Sequence, residues 1–320
     1  MRCSTIAGAL ALVLSAAGAF AQDYPFKPIR MVVPFAAGGA VDLTARLFAG
    51  KMQASMKVPV IVENRAGAGG NVGVDNVAKS APDGYTILLN TNGQSISPAI
   101  YKSLPWSPAD FVPVTQLYST SVLFVSSPSF PPKDLRETIA YAKANPGKLD
   151  YGASGIGNAL HLTMELLKLR AGIDLQMVPF RGDGLIINAV LGGEVQLGSI
   201  PISTGKPQVE AGALRGLAVS LPHRVPSLPD VPTVAEQGVP GFSAGGYQGF
   251  FVPAGTPDAI VQRIYREAKA ALESPEVRKE VAASGVEAVG STPDEFAAFY
   301  KGDVEQFRAI VREAKVPLQE

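Results

Sequence analysis

Short apolar runs alternate with helix-periodic segments in the first third of the chain. Residues 29–34, 58–63 and 85–90 form apolar runs of strand length, and residues 41–54 and 71–79 between them repeat apolar positions at helical spacing. Near-continuous apolar runs are typical of strands that are covered on both faces. This βαβαβ order predicts a parallel sheet with helices on both sides.

A second α/β pattern begins near residue 149, after a strand pair and a helix at 134–144. Its predicted strands lie at 149–152, 174–179, 195–199 and 214–220, with helices at 158–169 and 185–191. A small helix at 234–237, a strand at 245–253 and helices at 257–272, 275–284 and 293–314 follow. We predict two lobes, residues 22–121 plus 242–320 and residues 122–241, with a ligand cleft between them.

A glycine-containing loop joins the first predicted strand to the first helix. The N–H groups of a first helical turn have no partners within the helix, and the helix dipole adds positive potential there, so such a loop can bind an anion. The same glycines would also suit an ordinary strand-to-helix turn, and Asp42 would suit the first turn of any helix. The predicted binding residues of this segment are Phe35, Ala36, Ala37, Gly38, Gly39 and Asp42.

Other predicted strand ends also carry small polar residues and glycine, which offer binding rather than bond-breaking chemistry. Arg181 is the strand-end cation that could bind a carboxylate in a bidentate manner, or it could instead pair with Asp183. Tyr247 could form a wall of the cleft or pack in the core near a hinge. The further candidate binding residues are Thr91, Asn92, Ser154, Gly155, Gly157, Asn158, Arg181, Ser199 and Tyr247.

Composition and spacing argue against several other functions. Lys plus Arg equals Asp plus Glu at 28 each, so no overall charge attracts nucleic acid or an acidic membrane. His161 and His223 lack metal-site spacing, and Ser154 does not lie in a nucleophile-elbow pattern. The glycines at 67–73 do not match the dinucleotide fingerprint. We therefore predict no catalytic residue, no metal, no cofactor and no nucleic-acid partner, and we expect His161 to pack or to anchor a loop.

The N-terminal segment has the pattern of a secretory signal peptide. Met1 and Arg2 precede an apolar run at 6–17, and Ala19 and Ala21 fit the small-x-small cleavage pattern. The run is shorter than the ~20 residues that a membrane-spanning helix needs. We predict cleavage after Ala21 and export to the periplasm. This cleavage would remove Cys3, the one cysteine of the sequence.

Several motifs together resemble the start, middle and end of one protein family. The family is that of the tripartite tricarboxylate transporter substrate-binding proteins, also called the Bug or TctC-like family. The resemblance covers nearly the whole chain after the signal peptide. Its motifs are Tyr24-Pro25-x-Lys27-Pro28-Ile29-Arg30, Val33-Pro34-Phe35-Ala36-Ala37-Gly38-Gly39-x-x-Asp42, Val62-Glu63-Asn64-Arg65-x-Gly67-Ala68-Gly69-Gly70-Asn71, Ala81-Pro82-Asp83-Gly84-Tyr85, Ser154-Gly155-x-Gly157 through His161, Leu228-Pro229-Asp230-Val231-Pro232-Thr233-Val234-Ala235-Glu236 and Pro253-Ala254-Gly255-Thr256-Pro257.

The resemblance implies a two-lobed periplasmic binding protein of type II-like fold, a monomer that closes on a small organic carboxylate. It implies inner-membrane transporter subunits as partners. By position, it implies that residues 35–42 and 154–158 bind the carboxylate, with Thr91 and Asn92 in a third loop. Many relatives carry an acidic-amide pair where this chain has Ser199-Ile200-Pro201, and many carry Trp in place of Tyr247. These departures favour a dicarboxylate or an aromatic acid over an amino acid.

Two other classes of function fit the sequence less well. The alternative is an exported α/β enzyme, similar to a hydrolase, that acts on a small carboxylate or ester in the same cleft. A ligand-sensing half of a transcription regulator is disfavoured, because the sequence has no basic helix-turn-helix segment and begins with an export signal.

Overall fold

The computed structural model describes residues 24–320, so the predicted signal peptide and its cleavage site lie outside the described residues. The strands are β1 (Ile29–Val33), β2 (Val60–Asn64), β3 (Thr86–Thr91), β4 (Phe111–Thr120), β5 (Val122–Ser126), β6 (Asp150–Ala153), β7 (Gln176–Pro179), β8 (Leu197–Pro201), β9 (Arg215–Val219), β10 (Gly246–Pro253) and β11 (Glu287–Ala288). The helices are α1 (Ala40–Met56), α2 (Asn71–Ala78), α3 (Gly93–Ile100), α4 (Leu135–Ala144), α5 (Ala159–Ala171), α6 (Asp183–Leu191), α7 (Ile202–Glu210), α8 (Asp258–Leu272), α9 (Pro275–Ser284) and α10 (Pro293–Glu313).

The strands form two mixed sheets of similar design. The first sheet has the order β11-β4-β10-β3-β1-β2, in which β1 runs parallel to β2 and β3 while β10 is antiparallel to β3 and β4. The second has the order β7-β6-β8-β5-β9, in which β6 runs parallel to β7 and β8 while β5 is antiparallel to β8 and β9. The predicted two-lobed α/β fold is therefore confirmed, with a mixed sheet in each lobe: each sheet holds two parallel strand pairs, and its remaining pairs are antiparallel.

The chain crosses between the sheets twice. It leaves the first sheet between β4 and β5, where Ser121 alone separates the strands, and it returns between β9 and β10. Ser121 and Ser220 lie side by side at these crossings, and Val122 N–H donates to the Ser220 hydroxyl at 2.9 Å. Two adjacent connecting segments are the usual arrangement of a hinge.

Helix α1 covers the first sheet with one apolar stripe. In α1, Ala45, Phe48, Met52 and Met56 recur at helical spacing and are buried against the first sheet, where Phe48 packs on Phe250 of β10. Within residues 24–320, no helix is long and apolar enough to cross a membrane.

One core cluster is shared by both lobes. Ile96 and Ile100 of α3 and Phe307 of α10 belong to the same buried cluster as Tyr151 of β6 and Leu162 of α5. The long C-terminal helix therefore packs on both lobes and joins them on one side of the cleft.

The structure differs from the predicted elements at several places, and strand β11 is one of the elements that were not predicted. Helices α3 and α7 were not predicted, and the expected small helix at 234–237 is a turn that Gly238 ends with a left-handed φ of 104°. Helix α3 matters most for function, because it begins directly at the carboxyl end of β3, where Thr91 and Asn92 had been placed in a loop.

Candidate ligand-binding site

A cleft of about 390 Å³ lies where loops of the two lobes meet. Its lining combines hydroxyl and amide groups with apolar side chains and contains no charged side chain. The lining residues are Phe35, Gly69, Thr91, Asn92, Gly93, Ile96, Ser97, Ile100, Tyr101, Ser154, Ile156, Gly157, Asn158, Ala159, Leu160 and Gln319. Within residues 24–320, no three His, Cys, Asp or Glu side chains are grouped so that they could hold a metal ion. The cleft thus offers dipoles and hydrogen bonds rather than full charges.

Asp42 fixes the loop between β1 and α1. Its buried Oδ2 accepts hydrogen bonds from Arg46 Nε at 2.9 Å and from Gly38 N–H at 2.8 Å. Asn64 Nδ2 donates to Asp42 Oδ1 at 2.9 Å and to Phe35 O at 3.1 Å. The hydrogen bond from Arg46, and next that from Gly38, lowers the pKa of Asp42 to about 2. Asp42 therefore stays ionised and holds the loop in shape, while its carboxylate lies outside the lining of the cleft.

Helix α3 begins at the cleft with its polar side chains already engaged. Thr91 Oγ1 accepts from Gly93 N–H at 3.2 Å, and Asn90 Oδ1 accepts from Thr91 N–H at 2.8 Å. Asn92 provides the first carbonyl of the helix, which accepts from Ser95 N–H at 3.0 Å. These bonds orient the helix so that its N-terminal end, the end of positive potential, borders the cleft.

Helix α5 begins on the opposite side of the cleft with Asn158 as its N-cap. Asn158 Oδ1 accepts from His161 N–H at 3.0 Å, and Asn158 Nδ2 donates to Ser154 Oγ at 3.1 Å. The N–H groups of Ile156, Asn158 and Ala159 have no acceptor in the part of the chain that the structure describes. These three donors remain available to an anion.

His161 anchors the loop that precedes α5. Its Nδ1 accepts from Gly157 N–H at 3.0 Å, so the ring proton is on Nε2, which lies 3.7 Å from Glu165 Oε1. Glu165 Oε1 also accepts from the Tyr151 hydroxyl at 2.7 Å and from Lys168 Nζ at 2.8 Å. Burial lowers the pKa of His161 despite the nearby carboxylate. The imidazole is therefore neutral at neutral pH.

The structure brings six of the fifteen predicted binding residues to the cleft. These six are Phe35, Thr91, Asn92, Ser154, Gly157 and Asn158. Ala36, Ala37, Gly38 and Gly39 form the exposed part of the loop beyond Phe35, and Gly155 lies within the Ser154 loop with its N–H donated to Ala153 O at 3.1 Å. Some of the predicted residues therefore line the cleft, whereas others lie in the same loops without facing it.

Ser199 and Tyr247 lie in the interior, which corrects their expected position in the cleft. Ser199 is fully buried and its hydroxyl donates to Leu160 O at 2.7 Å, so it acts beneath the cleft wall. Tyr247 is 1% exposed, packs edge-on against Phe296 and hydrogen-bonds Ser95 at 2.9 Å. Tyr247 thus packs in the core, which was the other interpretation of this residue.

Arg181 also lies outside the lining of the cleft. The residue is exposed at the end of β7 and, among the described residues, forms no ion pair with Asp183 or another acid. Phe180 N–H donates to Ala153 O at 3.0 Å, which places Arg181 next to the Ser154 loop at the mouth of the cleft. The pairing with Asp183 is therefore not seen, and the contact of Arg181 with a ligand stays a prediction.

Sequence reasoning missed six polar or small residues of the lining: Gly69, Gly93, Ser97, Tyr101, Ala159 and Gln319. Ser97 and Tyr101 belong to the unpredicted helix α3 and the segment after it. Gln319 lies near the C-terminal end of the sequence, and its Nε2 donates to Ile156 O at 3.1 Å across 163 residues. No local pattern in the sequence could have indicated that contact.

Comparisons with known proteins agree with this architecture. The family model described as "Tripartite tricarboxylate transporter family receptor" matches residues 44–316. The chain is 37% identical over 311 residues to Protein BugT of Bordetella pertussis, covering 95% of this chain and 94% of BugT.

Two solved structures from Rhodopseudomonas palustris are similar over most of the chain. The structure of Rpa4515 with adipate is 31% identical with a TM-score of 0.75, covering 93% of this chain and all of that one. The structure of MatC with bound malate is 31% identical with a TM-score of 0.71, covering 90% of this chain and all of that one. The chain therefore belongs to the tripartite tricarboxylate transporter receptor family, a family of periplasmic solute-binding proteins rather than of enzymes.

Proposed function

We propose that this protein captures a small organic carboxylate between its lobes and delivers it to a tripartite tricarboxylate-type transporter in the inner membrane. The observation that carries the proposal is a neutral cleft bordered by the N-terminal ends of α3 and α5, one from each side. Each end presents N–H groups and the equivalent of about half a positive charge. Such ends stabilise a carboxylate without a basic side chain.

The two ends of the cleft differ in a way that favours a dicarboxylate. Asn92 and Ser97 are five residues apart on α3, which corresponds to roughly 7.5 Å along a helix. The hydroxyl groups of Ser97 and Tyr101 could donate hydrogen bonds to a second carboxylate, and the apolar Ile96 and Ile100 suit the carbon chain between the two carboxylates. The same apolar walls also suit the ring of an aromatic acid, which we keep as the second candidate ligand.

An amino acid is a poorer ligand for this cleft. An ammonium group that loses its water shell needs an acidic partner or several acceptors, and the lining contains no Asp or Glu. The adipate and malate bound by the two relatives from Rhodopseudomonas palustris, which carry no amine, support the same class of ligand.

We further propose a monomer exported to the periplasm after cleavage behind Ala21. Residues 22–121 plus 242–320 would move as lobe one and residues 122–241 as lobe two. The positions of the two sheet crossings support these bounds. Closure would follow because a ligand held by both α3 and α5 makes contacts that the open arrangement lacks.

A ligand panel tests the proposal. We would measure binding by calorimetry and thermal shift with succinate, malate, adipate, benzoate and phthalate, and with aspartate and glutamate as the amine-bearing matches. We expect binding by a dicarboxylate or an aromatic acid, weaker or no binding by the amino acids, and no chemical change in any ligand. Turnover of a panel member, or preferential binding of the amino acids, would contradict the proposal.

The affinity of the Ala159→Asp variant tests whether the ligand's carboxylate binds at the N-terminal end of α5. Asp is favourable in the first turn of a helix, so the fold should tolerate it, but its charge would oppose a bound carboxylate. Two like charges about 4 Å apart repel by about 4 kcal/mol at an effective dielectric constant of 20, so binding should weaken at least about a hundredfold. The matched control is Ser203→Asp, an exposed first-turn residue of α7 away from the cleft lining. Equal affinity of the two variants would remove the end of α5 from the site.

A further inference from the structure

The peptide unit between Ile156 and Gly157 is held at both of its polar ends by side chains. Its carbonyl accepts a hydrogen bond from Gln319 Nε2 at 3.1 Å, and its N–H donates to His161 Nδ1 at 3.0 Å. The unit lies in the middle of the loop that carries Ser154 and Asn158 to the cleft. Its orientation therefore sets the direction of the neighbouring N–H groups.

The loop needs such a restraint because glycines flank Ile156. Gly155 has a φ of 82° and Gly157 a φ of 81°, so both lie in the left-handed region that only glycine enters without strain. Rotation of the 156–157 peptide depends on ψ of Ile156 and φ of Gly157, and glycine at 157 leaves that φ a wide range. If the peptide were flipped, its C=O and N–H groups would exchange directions. A carbonyl oxygen would then point to the place where the ligand needs a hydrogen-bond donor.

The two side chains come from different lobes. His161 belongs to α5 of the second lobe, whereas Gln319 lies against the segment after α3 in the first lobe. There, Gln319 N–H donates to Ile100 O at 2.8 Å and Lys102 N–H donates to Gln319 O at 3.0 Å. Gly157 packs closely on this segment, since a Cβ added to it would lie 2.5 Å from Ile100 Cδ1.

We propose that His161 and Gln319 are positioning residues that clamp the Ile156–Gly157 peptide unit, one from each lobe, and so fix the binding loop of residues 154–158 in the orientation that receives the ligand. The clamp itself is inferred from the two hydrogen bonds alone. Its expected effect on ligand affinity rests on the proposed function. Neither side chain needs to touch the carboxylate.

The clamp makes ligand binding sensitive to acid. Nδ1 can accept from Gly157 N–H only while the imidazole is neutral, because an imidazolium carries protons on both nitrogens. The charged groups that act on the ring are Glu165 and Lys168 of α5, and the Tyr151 hydroxyl of β6 donates to the same Glu165 oxygen at 2.7 Å. Burial lowers the pKa of His161 below its ordinary 6.5, so the clamp is intact at neutral pH and is lost as the pH falls through the lowered value.

The first arm of the experiment needs no ligand. The ¹⁵N shifts of the His161 ring at pH 7.5 report which nitrogen carries the proton, and we expect an unprotonated Nδ1 and a protonated Nε2. On acidification, the amide resonance of Gly157 should move with the same midpoint as the ring. A protonated Nδ1 at pH 7.5, or a Gly157 amide that does not follow the ring, would overturn the clamp whatever the ligand is.

The second arm compares variants with malate or adipate, whichever the panel shows to bind more tightly. His161→Asn keeps an acceptor near the position of Nδ1, whereas His161→Gln moves the polar group towards Glu165. We expect near-normal affinity without the acid-dependent fall for Asn, and a loss on the order of tenfold for Gln at neutral pH. Melting temperatures of the pair should be similar, which separates positioning from folding.

Gln319→Leu removes the other arm of the clamp. The matched control is Gln306→Leu, because Gln306 Nε2 likewise donates to a backbone carbonyl, Ser243 O at 3.2 Å, outside the cleft lining. We expect a loss on the order of tenfold for Gln319→Leu, none for the control, and less than additive losses in the double variant with His161→Gln. Equal affinities of His161→Asn and His161→Gln would refute the proposal. Equal affinities of Gln319→Leu and Gln306→Leu would refute it as well. If no panel member binds, the proposed function is refuted instead. The NMR measurements on the His161 ring and the Gly157 amide would then still test the clamp.

Discussion

Asp303 of α10 has a carboxylate oxygen, Oδ2, that is buried without a hydrogen-bond partner. Burial raises the pKa of Asp303 from its ordinary 3.8 to about 7, although a hydrogen bond with Ser95 opposes the rise. The folded state thus binds this proton more tightly than the unfolded chain does. The contribution of Asp303 to the free energy of unfolding therefore decreases as the pH rises from about 4 to about 7.

Asp303→Asn should stabilise the protein at pH 8, because it removes a buried charge that lacks full compensation. We expect a gain of about 1–3 kcal/mol at pH 8 and little change at pH 4, measured by denaturant unfolding at both values. Asp294→Asn, an exposed acid on the same helix, is the control. A gain that is the same at both pH values would show that Asp303 does not titrate in this range.

Arg181 gives a second prediction at the scale of a residue. Because it is exposed at the mouth of the cleft, Arg181→Ala should cost less than about 1 kcal/mol in affinity and act mainly on the association rate at low salt. Stopped-flow binding at two salt concentrations measures this, with Arg170→Ala as a control at another exposed arginine. A loss above tenfold at physiological salt would mean that Arg181 reaches the ligand after closure.

At the scale of elements, the sequence predicted strands and long helices well and failed where a proline lies inside a helix. Pro98 of α3 has no N–H to donate to the carbonyl of Gln94, and that carbonyl instead accepts from the Tyr300 hydroxyl at 3.4 Å. Helix α7 likewise contains a proline, Pro207. The compensation for Pro98 comes from α10, about two hundred residues away, so local pattern could not reveal the helix that borders the cleft.

The N-cap of α5 separates the stability of an element from its function. Asn158→Ala removes the acceptor of His161 N–H and the donor to Ser154, whereas Asp134→Ala removes the cap of α4, whose Oδ1 accepts from Glu137 N–H at 2.7 Å. Both should lose about 1 kcal/mol of stability, but only Asn158→Ala should weaken ligand binding. Paired melting curves and calorimetric titrations measure the two effects. Equal affinities would mean that the orientation of this loop does not depend on its cap.

At the scale of the molecule, the restart of the βα alternation was enough to predict two lobes and a cleft. It did not predict that the two lobes share one core cluster. The loops at 35–39 and 154–158 were found because glycine-containing strand ends have a local signature. The burial of Tyr247 and Ser199 could not be predicted, because a strand end gives no sign of which side chains the next layer covers. The shared cluster through Phe307 depends on how α10 packs, which is a property of the assembled chain.

That shared cluster predicts how the protein unfolds. Phe307 is 1% exposed and belongs to the cluster that contains residues of both lobes, whereas Phe48 is fully buried within the core of the first lobe alone. Because the lobes share apolar contacts, we expect a single calorimetric transition whose van't Hoff and calorimetric enthalpies agree. Phe48→Ala and Phe307→Ala should each cost about 3–5 kcal/mol, but only Phe307→Ala should split the transition, since it weakens the contact through which one lobe depends on the other. Two transitions in the unaltered protein, or a split in Phe48→Ala instead, would show that the lobes unfold independently of the α10 contact.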